Sequence, residues 1–163
     1  MARGNCIIVT AVTDYIPAEG IVAAGETHYP GMVVQKKLSS GLTGGRETFE
    51  IYNADQDGGR PKGGAFYIVV EDSRQGRTVS DPYTAGERAF YAVLRAGMEF
   101  NGLVLNLTGT ADDHAVGEVL IVDDTTGKFI ATTGSPETEV AVLKETITDP
   151  TADTLAWMEW TGY

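Results

Sequence analysis

Residues 65–107 read AFYIVVEDSRQGRTVSDPYTAGERAFYAVLRAGMEFNGLVLNL. Three apolar runs stand out: Ala65–Val70, Arg88–Leu94 and Leu103–Leu107. They are rich in Val, Ile, Phe, Tyr and Leu, and each is too short for a typical helix. Between them stand Ser73-Arg74-Gln75-Gly76, Ser80-Asp81-Pro82-Tyr83-Thr84-Ala85-Gly86 and Asn101-Gly102. Gly tolerates positive φ and Pro is excluded from central strands, so these segments read as turns. The stretch predicts short strands joined by tight turns.

The same grammar extends outward. Upstream, Cys6–Val12, Ile21–Ala24, Met32–Leu38 and Glu47–Tyr52 read as strands, with Thr13–Gly20 as a break. Downstream, so do Gly117–Val122, Lys128–Thr132, the alternating Glu139–Ile147 and the aromatic Thr154–Tyr163. The expectation is an all-β chain with roughly ten short antiparallel strands and little or no helix. It would form one small β-barrel or sandwich over residues 1–163, a length suited to one domain. Glycine makes up 20 of 163 residues, without a collagen period, which fits many turns. Ala24-Gly25-Glu26, Ala85-Gly86-Glu87 and Val116-Gly117-Glu118 recur before apolar runs, but their uneven spacing makes no solenoid repeat.

The formal net charge is −11. Such a surface repels nucleic-acid phosphates, and no Lys/Arg cluster offsets it. One cysteine, Cys6, allows no intramolecular disulfide, which points to a reducing compartment. The N-terminal apolar run is too short for a signal peptide, and no run reaches a membrane span, so no membrane partner is expected.

Candidate chemistry is sparse. Asn53-Ala54-Asp55-Gln56-Asp57-Gly58 matches the first half of a calcium loop, but the position of the bidentate acid is Gly64. Asp112-Asp113-His114 and Asp123-Asp124 read as turn residues. His28 and His114 are the only histidines and lie far apart in sequence, which does not suggest a zinc site. No nucleophile motif, Walker loop or dinucleotide fingerprint is present. The expectation is a non-enzyme with no cofactor and no metal.

Both chain ends carry apolar side chains with no obvious cover. Residues 1–15 read as a first strand or as an arm that docks on a neighbour. In residues 154–163, Trp157 and Trp160 have opposite parity, so one of them faces outward and needs cover. The candidate contacts with a neighbouring subunit are Ile7, Ile8, Val9, Trp157, Trp160 and Tyr163.

Five segments carry a resemblance. They are Tyr29-Pro30-Gly31-Met32-Val33-Val34, Val70-Glu71-Asp72, Asp81-Pro82-Tyr83-Thr84-Ala85-Gly86-Glu87-Arg88, Gly117-Glu118-Val119-Leu120 and Gly127-Lys128-Phe129. In their order, and in the D-x-Y-x-x-G-[DE] turn, they resemble the capsid decoration (cement) proteins of tailed bacteriophages, over most of residues 29–130. Arg95-Ala96-Gly97-Met98 departs from the more acidic turn of that family. The resemblance implies a structural virion protein, assembled in the host cytoplasm, on the outer surface of the capsid. It would stabilise the shell by bridging major capsid protein subunits, as a dimer or trimer. The rival readings are a calcium- or carbohydrate-dependent β-rich module of a phage tail or fibre, which needs the 53–58 loop, and a hydrolase with a scattered site.

Overall fold

Strand β7 (Arg88–Val93) shows how the chain uses its alternation. Ala89 and Tyr91 enter one apolar cluster, while Phe90 and Ala92 join another. Successive side chains of a strand point to opposite faces, so β7 is covered on both sides. The computed structural model describes residues 7–8, 16–38, 45–52, 61, 64–106, 113–131, 140–148 and 152–162. The chain is all-β, and its other strands are β1 (Pro17–Val22), β2 (Thr27–His28), β3 (Val33–Lys36), β4 (Thr48–Ile51), β5 (Tyr67–Val70), β6 (Tyr83–Thr84), β8 (Glu99–Val104), β9 (Val119–Val122), β10 (Phe129–Ala131), β11 (Ala141–Leu143) and β12 (Thr154–Trp160).

These strands close two five-stranded barrels. The first runs β1-β4-β3-β5-β7 and the second β10-β8-β12-β11-β9; β2 and β6 pair separately. Each barrel contains one parallel pair, β1·β4 in the first and β8·β10 in the second. The β-barrel expectation thus holds, with two barrels in place of one and two parallel contacts among the antiparallel ones.

The two barrels are the same construction built twice. In chain order, the first, third, second, fourth and fifth strands neighbour each other around both rings. The registers agree as well. Val22 faces Phe49 across the parallel pair of the first barrel, and Val104 faces Phe129 in the second. Gly20 sits opposite Ala89, and Gly102 opposite Ala156. The backbone bonds repeat too: Gly31 N–H donates to Val69 O at 2.9 Å, and Gly117 N–H to Leu143 O at 2.8 Å. Ala23 N–H donates to Phe49 O as Leu105 N–H does to Phe129 O.

Gly20 and Gly102 show why the sequence allows this. A Cβ on Gly20 would lie 2.4 Å from the Phe49 ring, and one on Gly102 would lie 2.6 Å from Met158 Sδ and 2.7 Å from Phe129. A narrow barrel filled by large aromatics needs backbone alone on part of its wall. Asn101-Gly102, expected as a turn, therefore lies inside β8, which runs Glu99–Val104 rather than 103–107. Pro17, expected in a break, opens β1, where a strand's first residue accepts proline.

The buried residues form two clusters. The first barrel buries Val22, Val34, Phe49, Val69, Ala89 and Tyr91 inside itself. Its outer face, with Val33, Ile68, Val70 and Ala92, joins the interior of the second barrel in a single cluster around Phe100, Phe129 and Trp160. Backbone bonds stitch the joint: Leu103 N–H donates to Gly31 O at 2.9 Å, and Val33 N–H to Gly127 O at 2.7 Å. Gly31 (φ +91°) lies so close that a Cβ there would meet Leu155 Cδ2 at 2.7 Å.

Candidate functional site

The Asp81–Glu87 segment, which carries much of the resemblance, forms a tightly bonded turn around β6. Asp81 accepts from Thr78 N–H at 2.7 Å and from the Thr78 hydroxyl at 2.9 Å. Those bonds hold its carboxyl below the usual range. Glu87 accepts from Thr84 N–H at 2.6 Å and from Arg77 at 2.9 Å, which lowers its pKa in the same order of cause. Tyr83 is buried, and its hydroxyl donates to Val70 O at 2.9 Å. Burial, then the nearby Asp72 charge, pushes its pKa up to about 12. Arg77 lies 4.7 Å from the ring centre, a cation–π contact that seals the turn. Every one of these groups is spent on holding the chain.

A cleft of about 560 Å³ opens where the barrels meet, lined by Tyr29, Pro30, Val79, Leu103 and Leu155, with Ser80, Lys128, Asp153 and Thr154 at its sides. Tyr29 is 41% exposed at the rim, with Lys128 Nζ 5.9 Å from its ring centre. Lys128 pairs with Asp153 at 2.5 Å, and Asp153 also accepts Asn106 N–H at 3.0 Å. With Lys128 and Asp153 engaged on each other, the cleft offers a mixed surface, apolar at Leu103, Leu155 and Val79 and polar at its sides. A second cleft of about 540 Å³ is acidic, lined by Glu26, Gln35, Glu50, Ile51 and Asp124 among others.

The terminal candidates divide between inward and outward positions. Ile7 and Trp160 are both fully buried in the chain's own core. Ile7 O accepts Asn101 N–H at 2.7 Å, and Ile8 bridges Phe100 on β8, so these residues cover their own barrel. Trp160 packs against Phe66 and Phe100, with ring centres 5.1 and 6.4 Å away, and its buried Nε1 has no hydrogen-bond partner. The apolar cover that the sequence left open for Ile7 and Trp160 is thus supplied from within. Trp157 is the half-buried, outward member of the pair, and its backbone N–H donates to Glu145 at 2.7 Å. Val9 and Tyr163 lie outside the described residues, as do Cys6 and the 53–58 loop.

The histidines sit apart, His28 on β2 and His114 in an isolated bridge to Ile147. His28 is fully buried, with Nδ1 3.2 Å from the Tyr91 hydroxyl and Nε2 2.9 Å from Glu26. Glu26 in turn accepts Ile51 N–H at 2.8 Å. His114 Nδ1 lies 3.1 Å from Glu118. Both rings are bound to structural partners. Among the described residues, no group of three or more His, Cys, Asp or Glu side chains is placed to hold a metal, and no helix is long and apolar enough to cross a membrane.

Sequence reasoning missed the duplication and the inter-barrel cleft. The signal for the first was present in Gly20-Ile21-Val22 against Gly102-Leu103-Val104, each followed by a phenylalanine strand at Phe49 and Phe129. Comparison of the chain with protein-family models and with curated proteins found no match to either.

Proposed function

We propose that the chain is a structural virion protein that binds the outer surface of an assembled phage capsid and bridges neighbouring major capsid protein subunits. The observation that carries this reading is where the resembling segments fall. Tyr29–Val34 holds the inter-barrel joint, Asp81–Arg88 forms the bonded turn that leads into β7, and Gly117–Leu120 and Gly127–Phe129 form the matching turn and strand starts of the second. Motifs spent on rigidity suit a protein whose work is binding energy alone.

The mechanism is mass action. A ligand that binds the assembled lattice and not the free subunit stabilises the lattice. Many weak contacts on one shell reinforce each other through effective concentration. With Ile7 and Trp160 inside the core, apolar contact falls to exposed side chains such as Tyr29 and Leu38, 41% and 65% exposed. An apolar contact is also insensitive to salt screening. The test is affinity purification of the tagged chain from cells that assemble the cognate phage. Recovery of shell-sized particles built from a much larger protein is expected. Recovery of the chain without such particles, where they are abundant, refutes the reading.

A further inference from the structure

The duplicated barrels are used unequally. The first barrel packs on the second through the outer face of β3, β5 and β7 and through the Tyr29-Pro30-Gly31-Met32 turn. The matching residues of the second barrel follow from the shared registers: Val119 for Val33, Val142 for Ile68, and the Ala115-Val116-Gly117-Glu118 turn. Both turns close with the same bond, Met32 N–H to Tyr29 O and Glu118 N–H to Ala115 O, each at 3.1 Å. Yet Pro30 and Gly31 are buried, whereas Val116 is 62% exposed and a Cβ on Gly117 would meet nothing within 4 Å. Val119 and Val142 are only half-buried.

The receiving side is unequal in the same way. Leu103 and Leu155, paired across β8 and β12, lie under the Gly31 turn. Their counterparts across β1 and β7 are Ile21 and Arg88, half-buried and exposed. Among the described residues, one docking face and one receiving face per chain are therefore left partly exposed, the receiving one narrowed by Glu47, whose O accepts Ile21 N–H, as at the two ends of a repeat array.

We propose that a second copy of this chain fills them. The Val116 turn and the β9–β11 face of one copy seat on the β1–β7 face of the next, extending the joint that already exists within the chain. Two differences set its strength. In the first barrel Ile21 N–H is given to Glu47 O at 2.9 Å, so the new joint is made by side chains and lacks the backbone bond that Gly31 accepts. Arg88 also pairs with Glu19 at 3.0 Å, and Lys144 with Glu159 at 2.6 Å on the opposing barrel, which gives the joint a polar rim. The contact is weak and reversible in solution. It is heterologous, so it closes a ring or extends a file rather than stopping at a two-fold dimer. It stands or falls independently of any capsid.

The test is cysteine trapping in a Cys6→Ser background. Val116→Cys and Arg88→Cys chains, both changed at exposed positions, are mixed under mild oxidant. A cross-linked heterodimer is expected, at least about tenfold above the yield of a Thr125→Cys and Arg88→Cys control pair. In sedimentation, the concentration-dependent increase of the parent should vanish in Val116→Asp. A yield no higher than the control, self-linking by Val116→Cys alone, or a parent that stays monomeric at the highest concentration each overturns the proposal.

Discussion

Gly31 and Gly117 occupy the same place in the two barrels, and replacing each by alanine separates the joint from the turn. Both have positive φ, +91° and +88°, so alanine pays a left-handed backbone cost of about 1–2 kcal/mol at either site. Only Gly31 is crowded. Its Cβ would meet Leu155 Cδ2 at 2.7 Å, Leu103 N at 2.9 Å and Asn101 O at 3.2 Å. Two of these are backbone atoms, which cannot swing aside. Overpacking of this kind costs about 1–3 kcal/mol. Pushing the strands apart also weakens the Leu103 N–H to Gly31 O bond, worth about 1 kcal/mol. Gly31→Ala should thus destabilise the chain by about 2–4 kcal/mol more than Gly117→Ala. In urea, at protein concentrations low enough to suppress self-association, its midpoint should fall about 1 M or more below that of Gly117→Ala. Equal midpoints would refute the close contact at the joint.

Three further outcomes follow from the packing and the charges. Trp160→Ala should cost about 3–5 kcal/mol, because the ring is fully buried, and Trp160→Phe should cost clearly less because it also removes the unpartnered Nε1; thermal melts of the two variants decide this. Glu87 has a lowered folded pKa, so its contribution is present above the ordinary carboxylate pKa and is lost as pH falls through the folded value; Glu87→Gln should flatten the acid limb of the stability curve below about pH 4.5. Tyr83, raised to about 12, contributes stability that is fully present below the unfolded tyrosine pKa and is lost as pH rises from that pKa through about 12; absorbance titration should show it ionising late, together with alkaline unfolding. Ionisation of all seven tyrosines near pH 10 in a folded chain would contradict its burial.

Local alternation and turn chemistry were enough to find most strands. Arg88–Leu94 was expected and β7 runs Arg88–Val93; Glu47–Tyr52 contains β4, and Gly117–Val122 contains β9. What failed was anything set by another part of the chain. Gly102 looks like a turn until Phe129 and Met158 are known to press on it from other strands. Parity told that one of Trp157 and Trp160 faces inward but not which, and Trp160 is the inward one because Phe66 and Phe100 pack on it. The Gly-Glu recurrence pointed away from the true repeat, since only Gly117 of its three glycines matches a turn in the other barrel, and that partner is Gly31. The cleft could not be seen at all, because Tyr29, Val79, Leu103 and Leu155 meet only when the two barrels dock.

The capsid reading is tested most directly by titrating the purified chain against expanded, undecorated shells and against free major capsid protein. Binding to the shells should be saturable, should persist in high salt, and should raise the temperature at which they rupture. Binding to the free subunit should be far weaker. Shells that neither retain the chain nor gain stability, or free subunits that bind it equally well, would contradict a role in bracing the assembled lattice.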